Sequence, residues 1–163
     1  MPSDTLTTLA TLAGARLKAK GLMLATAESC TGGWVAQAIT AIAGSSDWFE
    51  RGFVTYSNAA KMEMLRVKAD TLRRHGAVSE QTAGEMATGA LARSRAQVAV
   101  AITGIAGPGG GAADKPVGTV CFAWALKSGA VSAETRLFKG DRESVRRRSV
   151  IAALQGILKL LEG

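Results

Sequence analysis

The feature that most constrains this chain is the junction Thr26-Ala27-Glu28-Ser29-Cys30-Thr31-Gly32-Gly33. Leading into it, Leu22 to Thr26 is an apolar, β-tolerant run. After it, Trp34 to Ile42 carries apolar groups at helical spacing. The small hydroxyl, thiol and glycine residues between them predict a strand that turns directly into a helix. Such a junction points backbone N–H groups at whatever occupies it, and the helix dipole favours negative charge there. A serine at that point can bind an anion, or attack a carbonyl whose oxyanion the N–H groups hold.

The rest of the pattern repeats the alternation. Leu6 to Lys20 reads as an amphipathic helix ending before Gly21, and Leu22 to Ala27 as the first strand. A helix then runs to about Ala43, followed by a turn at Gly44-Ser45-Ser46-Asp47 with Trp48 and Phe49 as buried anchors. Gly52 to Tyr56 reads as a second strand, after which Ser57 or Asn58 caps a helix through Leu65. Lys68 to Arg74 predicts a short helix, and Ser79-Glu80-Gln81-Thr82 an N-cap before a long one to about Arg93. Gln97 to Thr103 is the third strand and runs into the glycine-rich stretch 104–111. Val117 to Leu126 and Val131 to Phe138 flank a hairpin turn, and a final helix covers Arg142 to Leu161. The expected fold is α/β: a three-layer α/β/α sandwich with a mixed central sheet and a C-terminal β-hairpin, with residues 1–163 as one domain. Ligands in such sheets bind outside the carboxyl ends of the strands. Ser29, Tyr56 and Thr103 stand there.

Bulk properties narrow the chemistry. No apolar run approaches the ~20 residues of a membrane span, and Met1 to Thr5 lacks the start of a signal peptide, so a cytoplasmic location with no membrane partner is expected. Cys30 and Cys121 are too few for a disulfide framework and lack metal-ligand spacing. The one histidine, His75, precludes a metal site of several His ligands. It precedes Gly76 at a helix end, where capping explains it better than catalysis. The net charge of +7 gathers partly at Arg142, Arg146, Arg147 and Arg148, and aromatics are only 5%. A solvated face or a pocket for one phosphate fits this better than a nucleic-acid partner.

Ser29 needs a base. Tyr56 and Lys61 are the candidates, one closing a strand and the other about a helical turn into the next element. A lysine base must be largely neutral, which burial achieves. Each also has a plain structural reading, Tyr56 as a wedge and Lys61 as an exposed helix residue. Cys30 is a rival nucleophile, because a thiol at a helix N-terminus has a depressed pKa. Strand alternation sends Ser29 and Cys30 to opposite sides, which favours Ser29 with Cys30 packed inward. Glu28 can pair with Lys61 or Arg142, or stand as a strand-edge carboxylate. Thr103 and Gly104 offer a hydroxyl and backbone donors to a phosphate or amide. Asp141 can cap the last helix while Arg142 binds a phosphate.

These segments resemble the competence/damage-inducible CinA C-terminal family in its stand-alone amidohydrolase form. The resemblance rests on the Thr26–Gly33 motif, Gly44-Ser45-Ser46 with Trp48-Phe49, and Gly52-Phe53-Val54-Thr55-Tyr56-Ser57-Asn58 with Lys61. It continues through His75-Gly76-Ala77-Val78-Ser79-Glu80, Thr103-Gly104-Ile105-Ala106-Gly107-Pro108, Lys115-Pro116-Val117-Gly118-Thr119-Val120 and Gly140-Asp141-Arg142. It implies hydrolysis of the carboxamide of nicotinamide mononucleotide to the nicotinic acid nucleotide and ammonia, with no metal and no cofactor. It also implies a serine nucleophile, Ser29, with Lys61 and Tyr56 as base. Thr103 and Arg142, with Gly32, Gly33 and Gly104, would bind substrate. Which of Lys61 and Tyr56 takes the first proton stays open. A non-catalytic nucleotide-binding module and a competence-associated interaction protein are the rival readings. The hairpin edge and apolar helix faces admit a homodimer.

Overall fold

A computed structural model of the protein describes residues 5–162, so the leader expectation at Met1 to Asp4 lies outside the described residues. The element order is α1 (Thr5–Lys20), β1 (Leu24–Glu28), α2 (Trp34–Thr40), β2 (Phe49–Val54), α3 (Asn58–Leu65) and α4 (Ala69–His75). It continues with α5 (Glu80–Ala92), β3 (Val98–Gly104), β4 (Thr119–Leu126), β5 (Val131–Leu137) and α6 (Arg142–Glu162). The sheet order is β2-β1-β3-β4-β5. The first three strands are parallel, and β4 and β5 add antiparallel. This is the mixed sheet of an α/β protein, ending in the expected hairpin. Among the described residues no helix is long and apolar enough to cross a membrane.

Period-two alternation divides the central strands into two unlike faces. One presents Leu24, Val98, Val100, Ile102, Val120, Phe122 and Trp124, which pack with α1, α2 and α6. The other presents Ala25, Ala27, Ala99, Ala101, Cys121, Ala123 and Ala125, with α5 laid on it and α3 and α4 beside α5. Each large aliphatic side chain buried on the first face contributes about 1.5–3 kcal/mol. The second face gains instead from close approach. Its small side chains let α5 sit low, and α5 in turn touches α3 at Gly89, where a Cβ would lie 1.9 Å from the Leu65 carbonyl oxygen. That contact fixes the helix that carries Lys61.

The boundaries that differ most from expectation are those of β2 and α2. β2 begins at Phe49, three residues early, and ends at Val54, so Tyr56 lies beyond the strand. Phe49 and Glu50 sit in the edge strand rather than in a turn because Phe49 pairs in register with Leu24. Trp48 is the buried anchor there, while Phe49 is half-buried. The helix α2 stops at Thr40, not Ala43. The Gly33 backbone before it is left-handed, and the helix starts at Trp34 as the spacing predicts. The capping expectations are met: Ser57 Oγ accepts from the Ala60 amide at 3.0 Å, Ser79 Oγ from Thr82 at 3.1 Å, and Asp141 Oδ1 from Ser144 at 2.9 Å. His75 ends α4 before a left-handed Gly76.

Candidate active site

Alternation along β1 continues into the turn and decides where its polar groups go. Ser29 follows Ala25 and Ala27 toward the α3–α5 side, while Glu28 and Cys30 follow Leu24 toward α2 and α6. The Ser29 amide donates to the Ile102 carbonyl at 2.9 Å, so the residue is tied to the end of β3. Across from it, α3 brings in Lys61, one of the largest fully buried side chains. Lys61 Nζ donates to Ser29 Oγ at 3.0 Å, to the Thr55 carbonyl at 3.0 Å and to the Tyr56 carbonyl at 3.2 Å.

All three partners are uncharged oxygens, and this sets the protonation chemistry. Burial pushes the Lys61 ammonium below its ordinary value of 10.5, opposed by the neighbouring Cys30 sulfur. An ammonium fills the three acceptors with its three N–H bonds. A neutral amine keeps the two carbonyls and turns its lone pair to the Ser29 hydroxyl. Both states fit the same heavy-atom positions, which is what a proton-accepting group opposite a serine requires.

The neighbours fall differently from several expectations. Cys30 is packed into the core, and burial, helped by the Glu28 charge, pushes its thiol up to about 12. The helix N-terminus does not depress it, because desolvation of a thiolate outweighs the dipole. Glu28 pairs with neither Lys61 nor Arg142. Its carboxylate accepts from the Thr31 hydroxyl at 2.6 Å and from the Val35 and Ala36 amides at 2.9 and 3.1 Å. It therefore supplies the cap that α2 lacks at Gly33. Tyr56 meets Lys61 through its carbonyl; its phenol is exposed and receives a hydrogen bond from Arg142 Nη2 at 3.4 Å.

Ser29, Cys30, Tyr56, Lys61, Thr103, Gly104 and Arg142 line one cleft of about 250 Å³, with Asn58, Ala77, Val78 and Ala106 completing it. Thr103 donates its hydroxyl to the Ala77 carbonyl at 2.8 Å, and Arg142 Nη1 donates to the Gly107 carbonyl at 2.8 Å. The Arg142 guanidinium thus stands between the glycine-rich loop and the Tyr56 phenol at the cleft mouth. Gly32 and Gly33 form the turn with φ of 61° and 105° and do not line the cleft. His75 is likewise absent from it.

Sequence reasoning gave Arg146 no role beyond a basic face. Its Nε donates to the Cys30 carbonyl at 3.1 Å and its Nη2 to the Thr31 carbonyl at 3.2 Å, with the guanidinium 5.5 Å from the Trp34 ring centroid. The i, i+4 spacing from Arg142 was the available signal, since it places both arginines on one face of α6. Two of the four clustered arginines are thereby turned onto carbonyls of the site.

Fold and site together define a class: a three-layer α/β protein with a serine–lysine pair at the carboxyl end of its parallel strands. The chain belongs to the CinA C-terminal domain family, whose model matches residues 6–161. It is 56% identical over 155 residues to the nicotinamide-nucleotide amidohydrolase PncC of Escherichia coli K12, covering 95% of this chain and 94% of that one. The Pseudomonas putida protein of the same name is 53% identical over 157 residues, covering 96% and 98%. Among solved structures, the competence/damage inducible protein CihA from Agrobacterium tumefaciens superposes with a TM-score of 0.94. It is 49% identical and the match covers 100% of this chain and 99% of that one.

Proposed function

We propose that this protein is a cytoplasmic amidase of pyridine nucleotide salvage, with residues 1–163 as one catalytic domain. It hydrolyses the carboxamide of nicotinamide mononucleotide to nicotinic acid mononucleotide and ammonia. The relatives named for that activity support the substrate, and the 3.0 Å Lys61–Ser29 contact carries the mechanism.

Neutral Lys61 takes the Ser29 proton as Oγ bonds to the amide carbon, and the carbonyl π pair moves onto oxygen. The resulting oxyanion sits against amides of the Ser29 turn. Collapse of the intermediate breaks the C–N bond, and the Lys61 ammonium returns the proton to the departing nitrogen, giving ammonia and an acyl-serine. Lys61 then deprotonates a water that attacks the ester, and Ser29 regains its proton on release. Lys61 acts directly, with the Tyr56 carbonyl holding it; the Tyr56 phenol and Arg142 face the nucleotide. Arg142 binds the phosphate and Thr103 the polar edge of the substrate. No cofactor enters these steps.

The test is mass spectrometry of enzyme mixed with nicotinamide mononucleotide and quenched early. An acyl adduct on the Ser29 peptide, absent in S29A, is expected. An adduct on Cys30 would overturn the nucleophile. Tight nucleotide binding with no ammonia released would make the cleft a binding module instead.

A further inference from the structure

The two carbonyls held by Arg146 belong to consecutive peptide units immediately after Ser29. A trans peptide is planar, with C=O and N–H pointing in opposite directions. Pulling the Cys30 and Thr31 oxygens toward α6 therefore turns the Thr31 and Gly32 N–H groups away from it. The second of these is seen directly, because the Gly32 amide donates to the Ser29 carbonyl at 3.1 Å. Gly32 is then committed to closing the turn and is unavailable to a substrate. Among the described residues, no backbone carbonyl accepts from the Thr31 N–H. Gly32, left-handed at φ 61°, completes the geometry in which successive amides form a concave anion site. A Cβ at Gly32 would stand 3.4 Å from Arg146 Nη2, so the guanidinium lies close against the turn. The ring of Trp34, the first residue of α2, has its centroid 5.5 Å from the same guanidinium.

We propose that Arg146 is a positioning residue: by gripping the Cys30 carbonyl it aims the Thr31 amide at the oxyanion of the tetrahedral intermediate, and by gripping the Thr31 carbonyl it holds the Gly32 amide in the bond that closes the turn beside Ser29. The proposal rests on the amidase reading above. Arg146 touches no reacting atom; it works through the backbone, and its positive charge also polarises the two peptide units so that their N–H groups donate more strongly. A lysine cannot reproduce the grip, because its point donor cannot reach two carbonyls in the planar two-pronged way.

The experiment compares ammonia release from nicotinamide mononucleotide by wild type, S29A, R146A and R146K, with thermal melts of each. Removing an oxyanion donor outright costs about 10²–10³ in kcat, so leaving it in place but misaimed should cost R146A about 10- to 100-fold, with KM within about threefold. R146K, which keeps the stem over Trp34 and the charge, falls between. Added methylguanidinium restores part of the lost kcat in R146A and does nothing to wild type. An R146A enzyme with undiminished kcat overturns the inference while the amidase reading stands. So does a loss of kcat and KM together with a lowered melting temperature, no guanidinium rescue and no intermediate behaviour in R146K. If wild type itself releases no ammonia, the amidase reading fails and this inference falls with it.

Discussion

Replacing Lys61 by methionine separates its role as base from its role as core. Methionine matches the lysine stem, so packing around residue 61 survives. The Thr55 and Tyr56 carbonyls lose their donor, costing about 1–3 kcal/mol each, but the burial penalty on the amine disappears at the same time. The expected net change in stability is within about 2 kcal/mol, small enough for a melt to show a folded protein. Activity should change far more: loss of a general base costs about 10²–10⁴ in kcat/KM, about 3–5 kcal/mol of barrier. The assay is ammonia release from nicotinamide mononucleotide between about pH 6 and 9. With neutral Lys61 as the proposed base and burial lowering its pKa, the wild-type rate should rise with pH through that lowered value. The K61M residual rate should lack that rise. A K61M enzyme with the wild-type rate and the wild-type pH profile would refute the assignment.

With its thiol protonated up to about 12, Cys30 should be dispensable: C30A keeps about the wild-type rate, and iodoacetamide at about pH 8 leaves wild-type activity intact. R142A should raise KM for the mononucleotide about 10- to 100-fold, the worth of a charge-assisted phosphate contact, with kcat changed less. The same variant should leave the KM for the riboside, which lacks the phosphate, near wild type. G89A should lower stability by about 1–3 kcal/mol in a denaturant titration, because its Cβ meets the Leu65 carbonyl, which outweighs alanine's helix preference.

Where a property depended on local period, it was legible. The strand–turn–helix at 26–34, the caps at Ser57, Ser79 and Asp141, and the opposite facing of Ser29 and Cys30 all follow from spacing a few residues wide. The pairing of Ser29 with Lys61 was one of two open candidates, and the geometry separates them, since Tyr56 offers Lys61 a carbonyl and not its phenol. What escaped depends on contacts between distant segments. Arg146 reaches back 115 and 116 residues to Thr31 and Cys30, and no pattern within α6 says which of its arginines does so. The fate of Glu28 was hidden for another reason. Its partners are backbone amides of α2 and a threonine hydroxyl, and a search among charged side chains passes over them. The early start of β2 at Phe49 reflects sheet pairing with Leu24, which overrides the turn-like Gly44–Asp47 composition before it.

The uncharged surroundings of Lys61 also couple this residue to the folding equilibrium. In the unfolded chain it is an ordinary ammonium in water. In the folded chain the same group, buried among three neutral oxygens, holds its proton less tightly. Between the lowered native value and the ordinary unfolded one, the unfolded state binds more protons, so stability rises with pH across that window and is least below it. Within that window folding itself releases the proton, before any substrate arrives. Below the window the folded chain keeps a buried, charged lysine, so the group proposed as the base is also a permanent tax on stability there.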